Sequence, residues 1–160
     1  MAEAIPLRRP VIDDKADMLR CLRELERKVL WLSSWTIHHA NHLRPSRDGL
    51  KVGGHQASSA SVATILTALF FHALRPEDRI QYLLGNQSRE NLLRFRALGG
   101  AQSYPSRTKD ADDVDFSTGS VGLGVAMTLF GSLVQDYVQL HKLSDTPPGR
   151  MVAVLGDAEL

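Results

Sequence analysis

The residues of this chain able to do chemistry lie in three short segments and one histidine cluster. Gly53-Gly54-His55 puts an imidazole directly after two residues of wide backbone freedom. A histidine so placed can face a cleft, moving protons or meeting an anion near neutral pH. The same triplet also suits a histidine that ties a loop by hydrogen bonds. Ser117-Thr118-Gly119-Ser120-Val121-Gly122-Leu123-Gly124 opens a helical pattern with glycines, so free backbone N–H groups can face a phosphate. Tight packing of that helix on a neighbour accounts for the glycines equally well. Val154-Leu155-Gly156-Asp157-Ala158-Glu159 has the form of a strand ending in a carboxylate, and the carboxyl ends of parallel strands are where α/β proteins take ligands. Asp157 is either a hard oxygen ligand suited to Mg²⁺ or a helix-capping residue. His38 and His42 stand four apart and could chelate, but no acidic residue is near them. A structural role is the better account of His38, His39 and His42.

Helices must position most of these groups. Residues 1–12, with Pro6 and Pro10, read as an extended arm. A helix is expected from Asp13 or Asp14, where a carboxylate can cap free N–H groups. Met18, Leu22, Leu25, Val29, Leu32 and Thr36 then form one stripe at helical spacing. The stripe predicts a helix packed on its own domain rather than a free coiled coil. Pro45 and Gly49 mark a loop, and an apolar helix follows over 61–74, stopped by Pro76. A short helical stretch over 80–84 ends at Gly85. Ser88 resembles a cap leading into Leu92, Leu93, Phe95 and Leu98, closed by Gly99-Gly100. Residues 101–119 lack periodicity and contain four Asp, which predicts a functional or mobile loop. The helix after Gly122 runs to about Leu143 and is expected to be buried on several sides. After the Thr146-Pro147-Pro148-Gly149 turn, Met151-Val152-Ala153-Val154-Leu155 reads as a buried parallel strand. One strand is not a sheet, so the inventory predicts an α/β domain whose sheet is incomplete in this chain.

Composition excludes several classes. With 19 Lys+Arg against 18 Asp+Glu in 160 residues, the net charge is +1 and no basic cluster offers a footprint for nucleic acid or an acidic membrane. A single cysteine, Cys21, excludes an internal disulfide and a Cys-rich zinc site. No apolar run approaches the roughly 20 residues that span a bilayer, and the first residues carry no apolar leader. A cytoplasmic chain is expected.

Gly53-Gly54-His55-Gln56-Ala57-Ser58, Ser103-Tyr104-Pro105, Ser120-Val121-Gly122-Leu123-Gly124 and Gly156-Asp157-Ala158-Glu159-Leu160 occur in the order found in one enzyme family. From about residue 24 to the end, the chain resembles the diphosphate-binding domain of the thiamine-diphosphate enzymes of the transketolase superfamily. Within it, the likeness is to the homodimeric-type first, decarboxylating component of pyruvate dehydrogenase. The resemblance implies a parallel sheet flanked by helices, with 13–160 a partial, helix-rich thiamine-diphosphate and Mg²⁺ domain. It implies that Asp157 holds Mg²⁺ on the diphosphate, with Ala158 and Glu159 beside it. Ser120, Val121 and Gly122 match the turn that contacts the cofactor, His55 an active-site histidine, and Ser58 a cofactor-side hydroxyl. In the family the cofactor's carbanion attacks a 2-oxo acid, CO₂ leaves, and the two-carbon unit passes to a lipoyl group. The partners implied are a second copy of the chain and a lipoyl-bearing acyltransferase component.

The chain departs from the family pattern in three places. Ala158 stands where the family has glycine. Arg79 joins Ile80 directly where the family has a strand and a Lys-Pro-His-x-Ser-Pro-like segment. The sequence also stops before the asparagine that supplies a further Mg²⁺ ligand. These departures predict that the chain is inactive alone. Two alternative functions follow from the same sequence. One is a transketolase-type transfer of two-carbon units between sugar phosphates. The other is a non-catalytic helical module whose Met18–Thr36 stripe binds a partner helix.

Overall fold

The computed structural model describes residues 14–46, 48–80, 88–104, 106, 108, 116, 117 and 122–156. Asp14 begins it as the cap of α1 (Lys15–His38). Its backbone is extended, and its Oδ1 accepts a hydrogen bond from the Ala16 N–H at 2.9 Å. The stripe read from the sequence faces inward along α1. Met18, Leu22, Leu25 and Val29 are half-buried, and Thr36 and Ile37 are buried. Against this helix runs α2 (Gln56–Ala68), antiparallel to it. Gln56 Nε2 donates to the Ser34 carbonyl at 3.0 Å and the Thr64 hydroxyl donates to Glu26, contacts eight residues apart on each helix. Ala63, Leu66 and Thr67 are buried on α2. The stripe therefore packs within the chain at Met18, Leu22, Leu25, Val29 and Thr36, while Leu32 is exposed.

α2 begins upstream of the expected residue 61, because Ala57 and Ala60 are good helix formers that carry the helix back to Gln56. Both helices end in one π-turn, over His39–Leu43 and Leu69–Ala73. The closing bonds run from Arg44 N–H to the His39 carbonyl at 2.9 Å and from Leu74 N–H to the Leu69 carbonyl at 2.8 Å. Pro45 then holds Arg44 in extended backbone, at φ −74° and ψ 129°.

A short helical stretch over 80–84 is not what begins at Ile80. Arg79–Ile80 is β1, and it pairs in parallel with β2 (Met151–Val152), Arg79 opposite Met151 and Ile80 opposite Val152. The rest of that stretch, 81–84, lies outside the described residues. The strand expected over Met151–Leu155 is two residues long and half-buried rather than five and buried, and its partner comes from the junction where the sequence offered none. Tertiary bonds explain the pairing. Asp78 accepts hydrogen bonds from the Arg150 backbone N–H at 2.8 Å, from the Arg150 guanidinium, and from the Arg75 N–H at 2.8 Å. Arg150 also donates to the Ala73 carbonyl. These bonds set the two strands side by side.

The connection between the strands contains α3 (Arg89–Leu93) and α4 (Leu123–Leu140), as a parallel pair requires. Ser88 caps α3, its Oγ accepting from the Asn91 N–H at 3.1 Å. α3 ends before the expected Leu98 because Arg96 adopts φ +59° and its N–H turns to the Ala101 carbonyl. α4 buries one side only, through Gly124 and Thr128, while Gly131 meets Phe116 and Met151. Its opposite side, with Phe130, Leu133, Val134 and Tyr137, is exposed. Burial on several sides is therefore corrected: the described residues supply an inner neighbour, β2, and leave the outer face open. The described chain is helix-rich with almost no strand. Its buried apolar residues are Ile37, Ala40, Ala63, Leu66 and Ala101.

Candidate functional site

Gly53 and Gly54, in the loop just before α2, stand at φ +87° and +100°, in the region that side-chain-bearing residues avoid. A Cβ on Gly53 would stand 2.6 Å from Arg96 Nη1, and one on Gly54 would stand 3.3 Å from Ile37 Cγ1. The loop is held at both backbone groups of Gly53. Its N–H donates to Asn41 Oδ1 at 3.0 Å, and its carbonyl accepts from Asn41 Nδ2 at 2.9 Å. Arg96 Nη1 donates to the neighbouring Val52 carbonyl at 2.6 Å. Arg44 in turn ties the end of α1 to the 93–95 segment, donating to the Phe95 carbonyl at 2.8 Å.

His55 follows as the N-cap of α2, in extended backbone at φ −120° and ψ 110°, with its side chain exposed and no side-chain cap bond. Its carbonyl accepts from the Ser59 N–H at 3.1 Å. Ser58 is the third residue of α2 and is exposed. The structure thus brings His55 and Ser58 onto the same first turn, where the backbone N–H groups receive no side-chain acceptor from the cap. Gly122 heads α4 in the same way, at φ +76° with no side-chain cap and with open space where a Cβ would stand. Uncapped N–H groups at two helix starts, one beside an imidazole, suit anionic oxygen atoms and a mobile proton.

Ser120 and Val121, beside Gly122, lie outside the described residues, as do Asp157, Ala158 and Glu159. The chain leaves β2 through half-buried Ala153 and Val154 and reaches exposed Gly156. Among the described residues, no group of three or more His, Cys, Asp or Glu side chains is placed to hold a metal ion. The histidines join ring contacts along the end of α1, stacked for His39 and tilted for the His38–His42 pair. Trp31 and Trp35 lie 6.0 Å apart, His39 stacks on Trp35 at 4.9 Å, and the His38 and His42 rings are 5.0 Å apart. No helix among the described residues is long and apolar enough to cross a membrane.

The sequence does not announce Asn41, Arg96 or the Asp78–Arg150 pair. Each acts on a residue remote in the chain, and Asn41 stands in a polar stretch where periodicity says nothing. The doublet of glycines was the one available signal, since a left-handed loop needs something to hold it.

The described chain is helix-rich with almost no strand, its one parallel pair of two-residue strands joined through a helical crossover. The chain is similar to pyruvate dehydrogenase E1 components over most of its length. It is 29% identical over 159 residues to the pyruvate dehydrogenase E1 component of Escherichia coli (strain K12), covering 86% of this chain and 18% of that protein. The Corynebacterium glutamicum E1 component is 25% identical over 162 residues, covering 86% of this chain and 17% of its own length. That of Buchnera aphidicola subsp. Schizaphis graminum is 28% identical over 140 residues, covering 74% and 16%. This chain therefore spans less than a fifth of the length of these relatives. No family model and no solved structure matches it.

Proposed function

We propose that this chain is the thiamine-diphosphate-binding portion of a pyruvate dehydrogenase-type enzyme that decarboxylates a 2-oxo acid and transfers the acyl unit. The observation that carries the reading is the similarity to pyruvate dehydrogenase E1 components across 86% of the chain. The first turns of α2 and α4 suit a diphosphate, because neither receives a side-chain cap bond and a Cβ at Gly122 would meet open space. In this reading Ser120, Val121 and Gly122 contact the cofactor, Ser58 offers it a hydroxyl, and Asp157 with its neighbours Ala158 and Glu159 lies at the diphosphate. Asp157 supplies a carboxylate oxygen to Mg²⁺, which takes one or two carboxylates besides phosphate oxygens. His55 holds or releases a proton beside the reacting carbon, from a position where its imidazole is exposed and its backbone is fixed. When bound, thiamine diphosphate supplies the carbon nucleophile for the ketone of the 2-oxo acid. A second copy of the chain and a lipoyl-bearing acyltransferase are the partners in this reading, in the cytoplasm. The chain by itself is expected to bind the cofactor weakly and not to turn over.

The test is calorimetric titration of the chain with thiamine diphosphate and Mg²⁺, beside a thermal melt. The reading expects saturable, Mg²⁺-dependent binding that raises the melting temperature, by RT ln(1 + [L]/Kd) in free energy. Asp157→Ala should abolish the Mg²⁺-dependent part. Binding unchanged in that variant would remove Asp157 from the site. A cooperative melt with no binding would favour the non-catalytic interaction module.

A further inference from the structure

We propose that Asn41 is the positioning residue of His55. The inference rests on the reading of His55 as an active-site histidine. It goes beyond that reading by assigning the group that sets where the imidazole stands. Asn41 lies in the π-turn that ends α1, twelve residues before Gly53, and its carboxamide acts as a length of neighbouring strand. Oδ1 accepts from the Gly53 N–H at 3.0 Å, and Nδ2 donates to the Gly53 carbonyl at 2.9 Å. The remaining Nδ2 proton goes to the Ile37 carbonyl at 2.8 Å. All three bonds require one orientation of the carboxamide. Turned over, it would set its oxygen against two carbonyls and its amide against an N–H. The side chain is thereby anchored to the helix before it grips the loop.

The grip falls where it matters for His55. Two successive glycines at positive φ would leave a free loop many conformations, and His55 is the second residue after Gly53. With Gly53 bracketed and Gly54 seated against Ile37, the chain has one direction in which to continue, and it delivers His55 to the N-cap of α2. Gln135 provides an internal comparison. It brackets Gly149 in the same manner, accepting from the Gly149 N–H at 3.1 Å and donating to its carbonyl at 2.8 Å. That clamp serves the approach to β2 and not the His55 loop. Losing either clamp costs the same kind of bonds, but only one should reach His55.

The experiment combines backbone ¹⁵N relaxation with titration of thiamine diphosphate and Mg²⁺, on the full chain and on Asn41→Ala, Asn41→Asp and Gln135→Ala. Asn41→Ala should lower the order parameters of Gly54 and His55 from about 0.85 to below about 0.6. It should also weaken binding about tenfold, as expected if the loop is competent in a tenth of molecules. Asn41→Asp keeps the acceptor for the Gly53 N–H and loses the donor, so it should fall between. If Asn41→Ala does not fold, Asn41→Asp carries the comparison. Gln135→Ala should lower the melting temperature while Gly54 and His55 remain as ordered as in the unsubstituted chain. Unchanged order at Gly54 and His55 in both Asn41 variants would overturn the assignment, as would an equal loss in Gln135→Ala. Failure of the unsubstituted chain to bind thiamine diphosphate would overturn the cofactor reading instead, and the order parameters would still decide the role of Asn41.

Discussion

Four N–H donors, from Arg75 and from the backbone and guanidinium of Arg150, converge on the Asp78 carboxylate, whose side chain is 1% exposed. The Arg150 guanidinium is the main reason its carboxyl is held well below the usual carboxylate range. The two backbone N–H groups act in the same direction, and burial acts against them. The sign of the linkage follows. As pH falls through about 4, the unfolded chain takes up the Asp78 proton before the folded chain does. The stability that this carboxylate contributes is therefore complete above about pH 5 and is lost progressively on further acidification. Melting temperatures measured from pH 6 to pH 2 should fall more steeply for the unsubstituted chain than for Asp78→Asn. At pH 7 that variant should be less stable by about 2–3 kcal/mol, less than the ~3–5 of a fully buried pair because Arg150 is half exposed. Parallel pH profiles would show that Asp78 carries no such linkage. The caps Asp14 and Ser88 were legible in the sequence because each closes on an N–H two or three residues ahead. Asp78 was not, since its partner lies 72 residues away and Pro76 beside it reads only as a helix stop.

Between elements, the tightest approach is that of Gly149 to the turn before β1. A Cβ at Gly149 would stand 1.7 Å from the Glu77 carbonyl oxygen and 2.9 Å from Asp78 Cα. Both are backbone atoms, so no side-chain tip can move aside. Gly149→Ala must push the segment before β2 away from β1, breaking the Arg150–Asp78 bonds with it. A loss of at least about 2 kcal/mol is expected, toward the upper part of the overpacking range. It would be read as a lowered midpoint in urea denaturation followed by circular dichroism. An unchanged midpoint would mean that the β1–β2 pair contributes nothing to the cooperative unit. The same contrast governs which elements were readable. α1 was legible through six residues at steps of four and three, and a period survives whatever it packs against. Two-residue strands carry no period at all, so β1 was invisible and β2 was recognised only from the apolar run around it. Of the candidate site, the glycine doublet and His55 announced themselves by type, while the carboxamide that holds them left no local trace.

At the scale of the whole chain, the outer side of α4 is the surface with most to explain. Gly124, Thr128, Gly131 and Gln135 recur at helical spacing on the face toward Phe116, Met151 and Gly149. Phe130, Leu133, Val134 and Tyr137 lie on the opposite face at 56–62% exposed, and Leu140 continues the row. If the proposed second copy of the chain docks on this apolar helix face, the face is its occupied surface. The apolar centre should then carry most of the association energy, with aromatic Phe130 and Tyr137 as its anchors. Sedimentation at increasing concentration should show the mass doubling. Leu133→Glu, which sets a charge at the centre of the row, should return the chain to monomer without moving the α1–α2 pair, whose Trp31 and Trp35 fluorescence reports it separately. A monomer at every concentration would exclude the second copy as the occupant of α4. A dimer indifferent to Leu133→Glu would move the interface to another face of the molecule.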